Sequence, residues 1–253
     1  MTTLIELDAY IYETLRIGDV PKDYSNNGLQ VEGNTIIKKA IFSVDASVEL
    51  FDKAVEENAD FIFVHHGISW GDNLKRITKQ NALRLRPLIK NDISLYGVHL
   101  PLDAHPVYGH NAQLANFIGL ENQQLFSPYS GVNIGVYGEL AEESTPKAIA
   151  EIFDLKLDSE HKIFGDSERK IKTVGIISGA GASGIEDAVE LGLDCFITGE
   201  IKHEVFHTIK ELDIPVITLG HYCSEKPGVW AMMELLSEKF NLDCTFIDIP
   251  TGL

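Results

Sequence analysis

The chain has 253 residues, of which 21 are basic and 38 acidic, a net charge of −17 that argues against non-specific attraction to nucleic acid or anionic membranes. Its 44% hydrophobic content is that of a globular protein, and its length suits two domains better than one. Apolar runs fall far short of the ~20 residues that span a bilayer, the acidic N-terminus is unlike a signal peptide, and three scattered cysteines (Cys195, Cys223, Cys244) fit buried thiols in a reducing cytoplasm.

Short β-branched runs alternate with helical segments. Ala40–Val44 reads as a strand and Ser47–Asn58 as a helix, with Ser47 as N-cap and Leu50, Ala54 and Val55 as its apolar stripe. Phe61–Val64 is a second strand, ending at His65-His66, and Asn81–Lys90 is helical despite Pro87. Ile93–Leu100 is a third strand and Gly109–Ile118 a helix. This rhythm predicts a mainly parallel or mixed sheet with helices on its faces.

A second lobe is predicted to begin near Pro128, dividing the chain into 1–127 and 128–253, with 220–253 able to return to the first lobe. Within it, Val132–Leu140, Val174–Ser178, Cys195–Thr198 and Val216–Leu219 read as strands. Helices are expected at Thr145–Phe153, Ile185–Leu191 and His203–Leu212, then at Val229–Phe240 before a last strand, Cys244–Ile247. No internal repeat is evident in the letters.

Three strand ends carry histidine, where open α/β sheets place their ligands. The first is FIFVHHG, Phe61–Gly67; adjacent strand side chains point to opposite faces, so one site needs the strand to turn at its end. The second is GVHLPLDAHP, with His99, Asp103 and His105. The third is GHYCSE, where His221 and Glu225 share one face if helical, and Ser224 is expected to cap the following helix. Each alone also reads as a structural histidine or a polar loop. Together they offer imidazole and carboxylate donors suited to Zn²⁺, Fe²⁺, Mn²⁺ or Ni²⁺. His65, His66, Asp103, His221 and Glu225 exceed the needs of one catalytic zinc and suffice for two bridged cations.

GAGASG, Gly179–Gly184, matches G-x-G-x-x-G after a strand, with Glu200 21 residues beyond Gly179. It reads as a tight turn, as an anion nest or as a dinucleotide fingerprint. Glu200 is a candidate general base or a helix cap, and His203 faces either a cleft or solvent. SNNGLQVEG, Ser25–Gly33, is rich in turn residues and discloses no chemistry. Leu74–Lys90 holds Lys75, Arg76, Lys79, Arg84, Arg86 and Lys90 with no acid, leaving 15 basic against 38 acidic residues elsewhere. That run is either a solvated helix face or a positive strip for an anionic substrate.

NNGLQVEG, VHHG, HLPLDAHPVYGHNAQLA, GAGAS, FITGE, GHYCSE and FIDIP, in this order, resemble the GTP cyclohydrolase 1 type 2 (Nif-three-like) family in its short bacterial form. The resemblance implies two α/β lobes with a dinuclear metal centre in a cleft between them. By motif its ligands are His65, His66, Asp103, His221 and Glu225. It further implies a homohexameric ring and hydrolytic opening of the GTP purine ring with release of formate. If GTP is the substrate, Glu200 and His99 are the candidates to move protons. It demotes the dinucleotide reading, since GAGAS is a family turn. Two rival functions stay open: a metal-binding ring assembly with a regulatory or partner-binding role and no turnover, and a nucleic-acid-binding protein, which the overall charge disfavours.

Overall fold

The computed structural model describes residues 1–253. Its elements run β1 (Thr2–Thr3), α1 (Leu4–Thr14), β2 (Gly28–Val31), β3 (Ile36–Ile37), β4 (Lys39–Asp45), α2 (Val48–Glu56), β5 (Phe61–His66), α3 (Gln80–Lys90) and β6 (Ser94–Gly97). There follow α4 (Leu100–Asp103), α5 (His110–Phe117), β7 (Leu120–Tyr129), β8 (Val132–Ser144), α6 (Pro146–Leu157), β9 (Lys162–Phe164) and β10 (Ile171–Ile177). The chain ends with α7 (Ile185–Glu190), β11 (Cys195–Thr198), α8 (Phe206–Leu212), β12 (Val216–Thr218), α9 (His221–Ser224), α10 (Lys226–Phe240) and β13 (Asp243–Phe246). No helix is long and apolar enough to cross a membrane.

The chain forms two compact units. The first comprises residues 1–102 and 229–249, the second residues 103–228 and 250–253. The sequence reading draws its boundary near Pro128. In the structure α5 packs on β8 and β7, which places 103–127 in the second unit. Residues 243–246 belong to the first unit because β13 pairs with β4, Cys244 opposite Ala40.

The first unit holds a five-stranded sheet in the order β13-β4-β5-β6-β2. Four strands are parallel, and β2 closes the edge antiparallel to β6. Both faces of β5 are covered, which is why it reads as an unbroken apolar run. Ile62 and Val64 join a core with Leu50, Phe51, Ala54 and Leu88 of α2 and α3. Phe61 and Phe63 meet Tyr96 on the opposite face. Helix α2 starts where expected, with Ser47 Oγ accepting from Leu50 N at 3.1 Å. Helix α1 is absent from the sequence reading, although Thr3 and Glu6 form a complete capping box.

The second unit is a six-stranded mixed sheet, β7-β8-β10-β11-β12-β9. Only β10, β11 and β12 run parallel; the long β7–β8 hairpin and β9 flank them antiparallel. Its core gathers Phe126, Ile177, Ile185, Ala188, Phe196 and Val216.

Two boundaries differ from the sequence reading for local reasons. The strand expected to reach Leu100 stops at Gly97, because Asn27 Oδ1 accepts from His99 N (2.7 Å) and Asp23 Oδ2 from Leu100 N (3.0 Å), turning the backbone into α4. Ser224 does not cap α10. Its hydroxyl donates to His221 O at 2.8 Å and accepts from Gly179 N at 2.9 Å, tying α9 to the glycine turn.

Candidate metal centre

In the first unit the ends of β5 and β6 bring His65, His66 and His99 together. Their ligand atoms lie within 4.8 Å of one another. The rings of His65 and His66 stand 4.4 Å apart, so the strand end overcomes the opposed directions of neighbouring side chains. Each imidazole is oriented through Nδ1. His65 Nδ1 donates to the Val98 carbonyl at 2.9 Å, His66 Nδ1 to Asp45 Oδ1 at 2.8 Å and His99 Nδ1 to Asp23 Oδ1 at 2.9 Å. A carbonyl or carboxylate oxygen has no proton to give, so Nδ1 carries the hydrogen in all three rings, and in the neutral form of each ring Nε2 carries the lone pair. That is the tautomer a metal-binding imidazole needs, oriented by the oxygen acceptor usual behind such a ligand.

Asp23 is the hub behind His99. It also accepts from Asn27 Nδ2 at 2.8 Å and from Ser25 N at 3.0 Å. Burial pushes its carboxyl upward, but the hydrogen bond and charge of His99, with the Asn27 and Ser25 bonds, hold it below the usual aspartate value. Gln30 and Asn26 complete the work of the same segment. Gln30 Oε1 accepts from Ile68 N (2.8 Å) and Ser69 N (3.0 Å), while Asn26 Nδ2 donates to Ser69 Oγ (2.8 Å) and Gly71 O (2.9 Å). Asp23 thus holds the His99 ring, while the SNNGLQ stretch, mute in sequence, braces Asp23, the His99 backbone and the loop that follows His65-His66.

In the second unit His221 and Glu225 meet as their spacing implied, Nε2 to Oε1 at 3.2 Å, and His221 Nδ1 lies 3.2 Å from Glu200 Oε1. Burial draws His221 toward its neutral form, but the Glu225 and Glu200 carboxylates outweigh it and hold its pKa up at about 9. Glu225 is buried, whereas Glu200 is partly exposed at the rim of a cavity of about 510 Å³ that also touches His161, Lys162, Tyr222 and Cys223. Gly179 (φ +60°) explains the glycine turn: a Cβ there would overlap Glu225 Oε1 and come within 3.3 Å of His221 Nε2. The next glycines, Gly181 and Gly184, are in a short 3-10 turn packed against Ile177. These contacts account for the small residues of GAGASG as a tight turn.

Asp103 is buried. Ser178 Oγ donates to its Oδ1 at 3.2 Å, and Asn111 braces the same turn by donating to Asp103 O (3.3 Å) and accepting from Ser178 N (2.7 Å). His110, which sequence reasoning did not single out, has a ring nitrogen within 4.8 Å of an Asp103 oxygen. Its Nδ1 accepts from Gly228 N at 3.0 Å, so Nε2 of the neutral ring carries the proton and has no lone pair for a cation. His105 Nδ1 likewise accepts from Val107 N and Tyr108 N at 3.2 and 2.9 Å, shaping its own loop. His203 is exposed in a 3-10 turn and joins none of these groups.

These donors fit divalent transition-metal cations. His65, His66 and His99 carry lone pairs on Nε2, Asp103 and Glu225 supply carboxylates, and the missing side chain at Gly179 leaves room beside Glu225 and His221.

The Duf34/NIF3 (NGG1p interacting factor 3) family model matches residues 2–252. A relative from Pyrococcus horikoshii named GTP cyclohydrolase 1 type 2 homolog is 43% identical over 249 residues, 98% of each chain. Among solved structures, protein ybgI, of unknown function, superposes with a TM-score of 0.90 at 36% identity, covering 100% of both chains. The protein TTHA1606 from Thermus thermophilus does so with a TM-score of 0.88, also at 36% identity and 100% of both chains.

Proposed function

The chain belongs to the Duf34/NIF3 family, and from that premise we propose that it is a dinuclear metal-dependent hydrolase that opens the purine ring of GTP and releases formate. The observation that carries the reading is the matched tautomer of His65, His66 and His99, each with Nδ1 held by an oxygen and Nε2 left as the donor atom. The substrate comes from the name of its relatives.

In this reading His65, His66, Asp103, His221 and Glu225 hold two cations of the Zn²⁺, Fe²⁺, Mn²⁺ or Ni²⁺ type. When bound, the cations supply Lewis acidity. Ser178 and Asn111 fix the Asp103 turn. Glu200, a candidate general base or helix cap by sequence, accepts the Nδ1 proton of His221 and orients that ring, and in this reading it acts as a positioning residue. His99 keeps the proton-moving role: with Nδ1 anchored on Asp23, its Nε2 takes the proton of the water that adds at purine C8. Cleavage of one C8–N bond opens the ring and leaves a formamide, and a second water hydrolyses that formamide, so that formate leaves and its nitrogen keeps the proton as an amine. Assembly as a homohexamer belongs to the same reading.

The test is formate release from GTP by protein loaded in turn with each of the four cations. Turnover with one of them supports the hydrolase. Stoichiometric metal with no formate from any of them removes the GTP assignment and leaves a metal-binding assembly without turnover.

A further inference from the structure

We propose that Trp70, with Tyr24 beside it, is the stacking surface for the base of an anionic nucleotide, set against the histidine trio of the first unit. The proposal deepens the hydrolase reading by naming what grips the substrate, and it rests on that reading for the identity of the base.

Trp70 sits where such a surface is useful. Its ring centroid is 5.0 Å from that of His99, edge to face, and 6.1 Å from that of His66. It is also held rigidly. The indole Nε1 donates to Gly67 O at 2.8 Å, the Trp70 backbone N donates to Asn73 Oδ1 at 3.0 Å, and Asn73 Nδ2 donates to Ile68 O at 2.8 Å. With Gln30 and Asn26 clamping the flanking backbone, the ring is positioned before any ligand arrives. The indole's one polar hydrogen is satisfied inside the loop, so what the partly exposed ring offers outward is π surface.

Tyr24 extends this surface. It is 70% exposed, and its ring lies 6.5 Å from Trp70 at an interplanar angle of 33°. Gly71, at φ +46°, lets the two approach, since a Cβ there would stand 2.8 Å from the tyrosine ring. A tyrosine exposed to that degree and aligned with an anchored tryptophan serves no core.

The charge beside the aromatic pair selects the class of ligand. Past Trp70 the chain passes Asp72, whose carboxylate pairs with Lys75, and continues into exposed Arg76 and Lys79, with no acid from Asn73 to Asn91 in a molecule of net charge −17. Asn81 pins this stretch by donating to Asn73 O and Arg76 O, both at 3.1 Å. A planar π face next to a cationic strand suits a base carrying phosphates, stacking being sequence-tolerant and the cations answering the charge.

The experiment titrates the isolated protein with GTP and follows tryptophan fluorescence, with binding measured independently by calorimetry. Trp230 is the other tryptophan. Saturable quenching is expected in the wild type and not in Trp70→Phe, which keeps a stacking ring and binds GTP within about threefold of wild type. Trp70→Leu should weaken GTP binding by about 10- to 100-fold, the range of one base–aromatic stack. Guanosine should quench more weakly and tripolyphosphate not at all. The proposal is overturned by fluorescence that GTP leaves unchanged, by quenching that persists in Trp70→Phe, by unaltered affinity in Trp70→Leu, or by quenching with tripolyphosphate alone. A change in sedimentation of Trp70→Leu without a change in affinity also overturns it and marks the patch as a contact between copies. Formate is assayed in the same samples. Quenching without formate keeps the stacking surface and removes the hydrolase, and formate without Trp70 dependence does the reverse.

Discussion

Which nitrogen of an imidazole can take a cation is decided by what the other nitrogen meets. His65, His66 and His99 each give their Nδ1 hydrogen to an oxygen, whereas His105 and His110 receive backbone N–H groups at Nδ1. Motif spacing cannot separate these cases, because a donor and an acceptor partner leave the same letter in the sequence. The ligand assignment makes a direct prediction: His65→Ala and Glu225→Ala lose bound metal by elemental analysis while circular dichroism and the unfolding transition persist. Full metal occupancy in both variants sinks the assignment. Gly179→Ala probes the cradle. Its methyl would collide with the Glu225 carboxylate at a left-handed backbone position, so metal occupancy should fall sharply, with a loss of stability of about 1 kcal/mol or more from the backbone alone. Unchanged metal content in Gly179→Ala would mean that Glu225 has other room.

At the scale of elements, the two units repeat one device. Each has three parallel strands in succession, β4-β5-β6 and β10-β11-β12, and each brings candidate residues to the ends of the second and third of them. The helix after the first strand ends in a left-handed residue, Asn58 or Gly192, and the helix after the second in Asp92 or Asp213. Asp60 Oδ2 accepts from Lys38 N and Lys39 N, as Asp194 Oδ2 accepts from Lys172 N and Thr173 N. In the letters AVE followed by Asp four residues later (Ala54–Asp60 and Ala188–Asp194) and Ile-Lys at the first strand (Ile37-Lys38 and Ile171-Lys172) are common to both, too little to disclose a repeat. Asp194 also receives Thr173 Oγ1 at 3.0 Å. Burial raises its carboxyl, but the Thr173 and Lys172 amides, the Thr173 hydroxyl and the nearby Arg169 outweigh that and lower it. Asp194→Ala should therefore cost about 1–3 kcal/mol in urea unfolding at pH 7. Because the folded value lies below the unfolded one of about 3.9, the contribution is whole above that pH and fades as pH falls further. The gap between wild type and variant should narrow below about pH 4; a gap independent of pH would assign the loss to packing.

For the whole molecule, charge and assembly are the measurable properties. The basic run is divided by the fold. Lys75, Arg76 and Lys79 lie on the loop after Trp70, while Arg84, Arg86 and Lys90 ride on α3, whose Leu85 and Leu88 face the core. The helical half is thus a solvated face, and in the loop half, where Asp72 pairs with Lys75, Arg76 and Lys79 are left to meet an anion. Sedimentation of the native protein should give about six chain masses if the proposed ring forms; a monomer at micromolar concentration would refute it.

Apolar runs and caps determined much by themselves. The unbroken β5 stretch, the Ser47 cap of α2 and the histidine at each strand end were legible because burial and hydrogen bonding act within a few residues there. The Thr3–Glu6 box is equally local, yet α1 is missing from the sequence reading. Only the tertiary structure decided that β13 joins β4 and that residues 103–127 belong with the second unit, since pairing between segments so far apart in the chain leaves no local trace. It likewise decided that Asp23, Asn27 and Gln30 serve His99 and the Trp70 loop. Hydrogen bonds between distant segments choose a ring's tautomer and a loop's course, and no spacing within either segment encodes the partner that the fold brings to it.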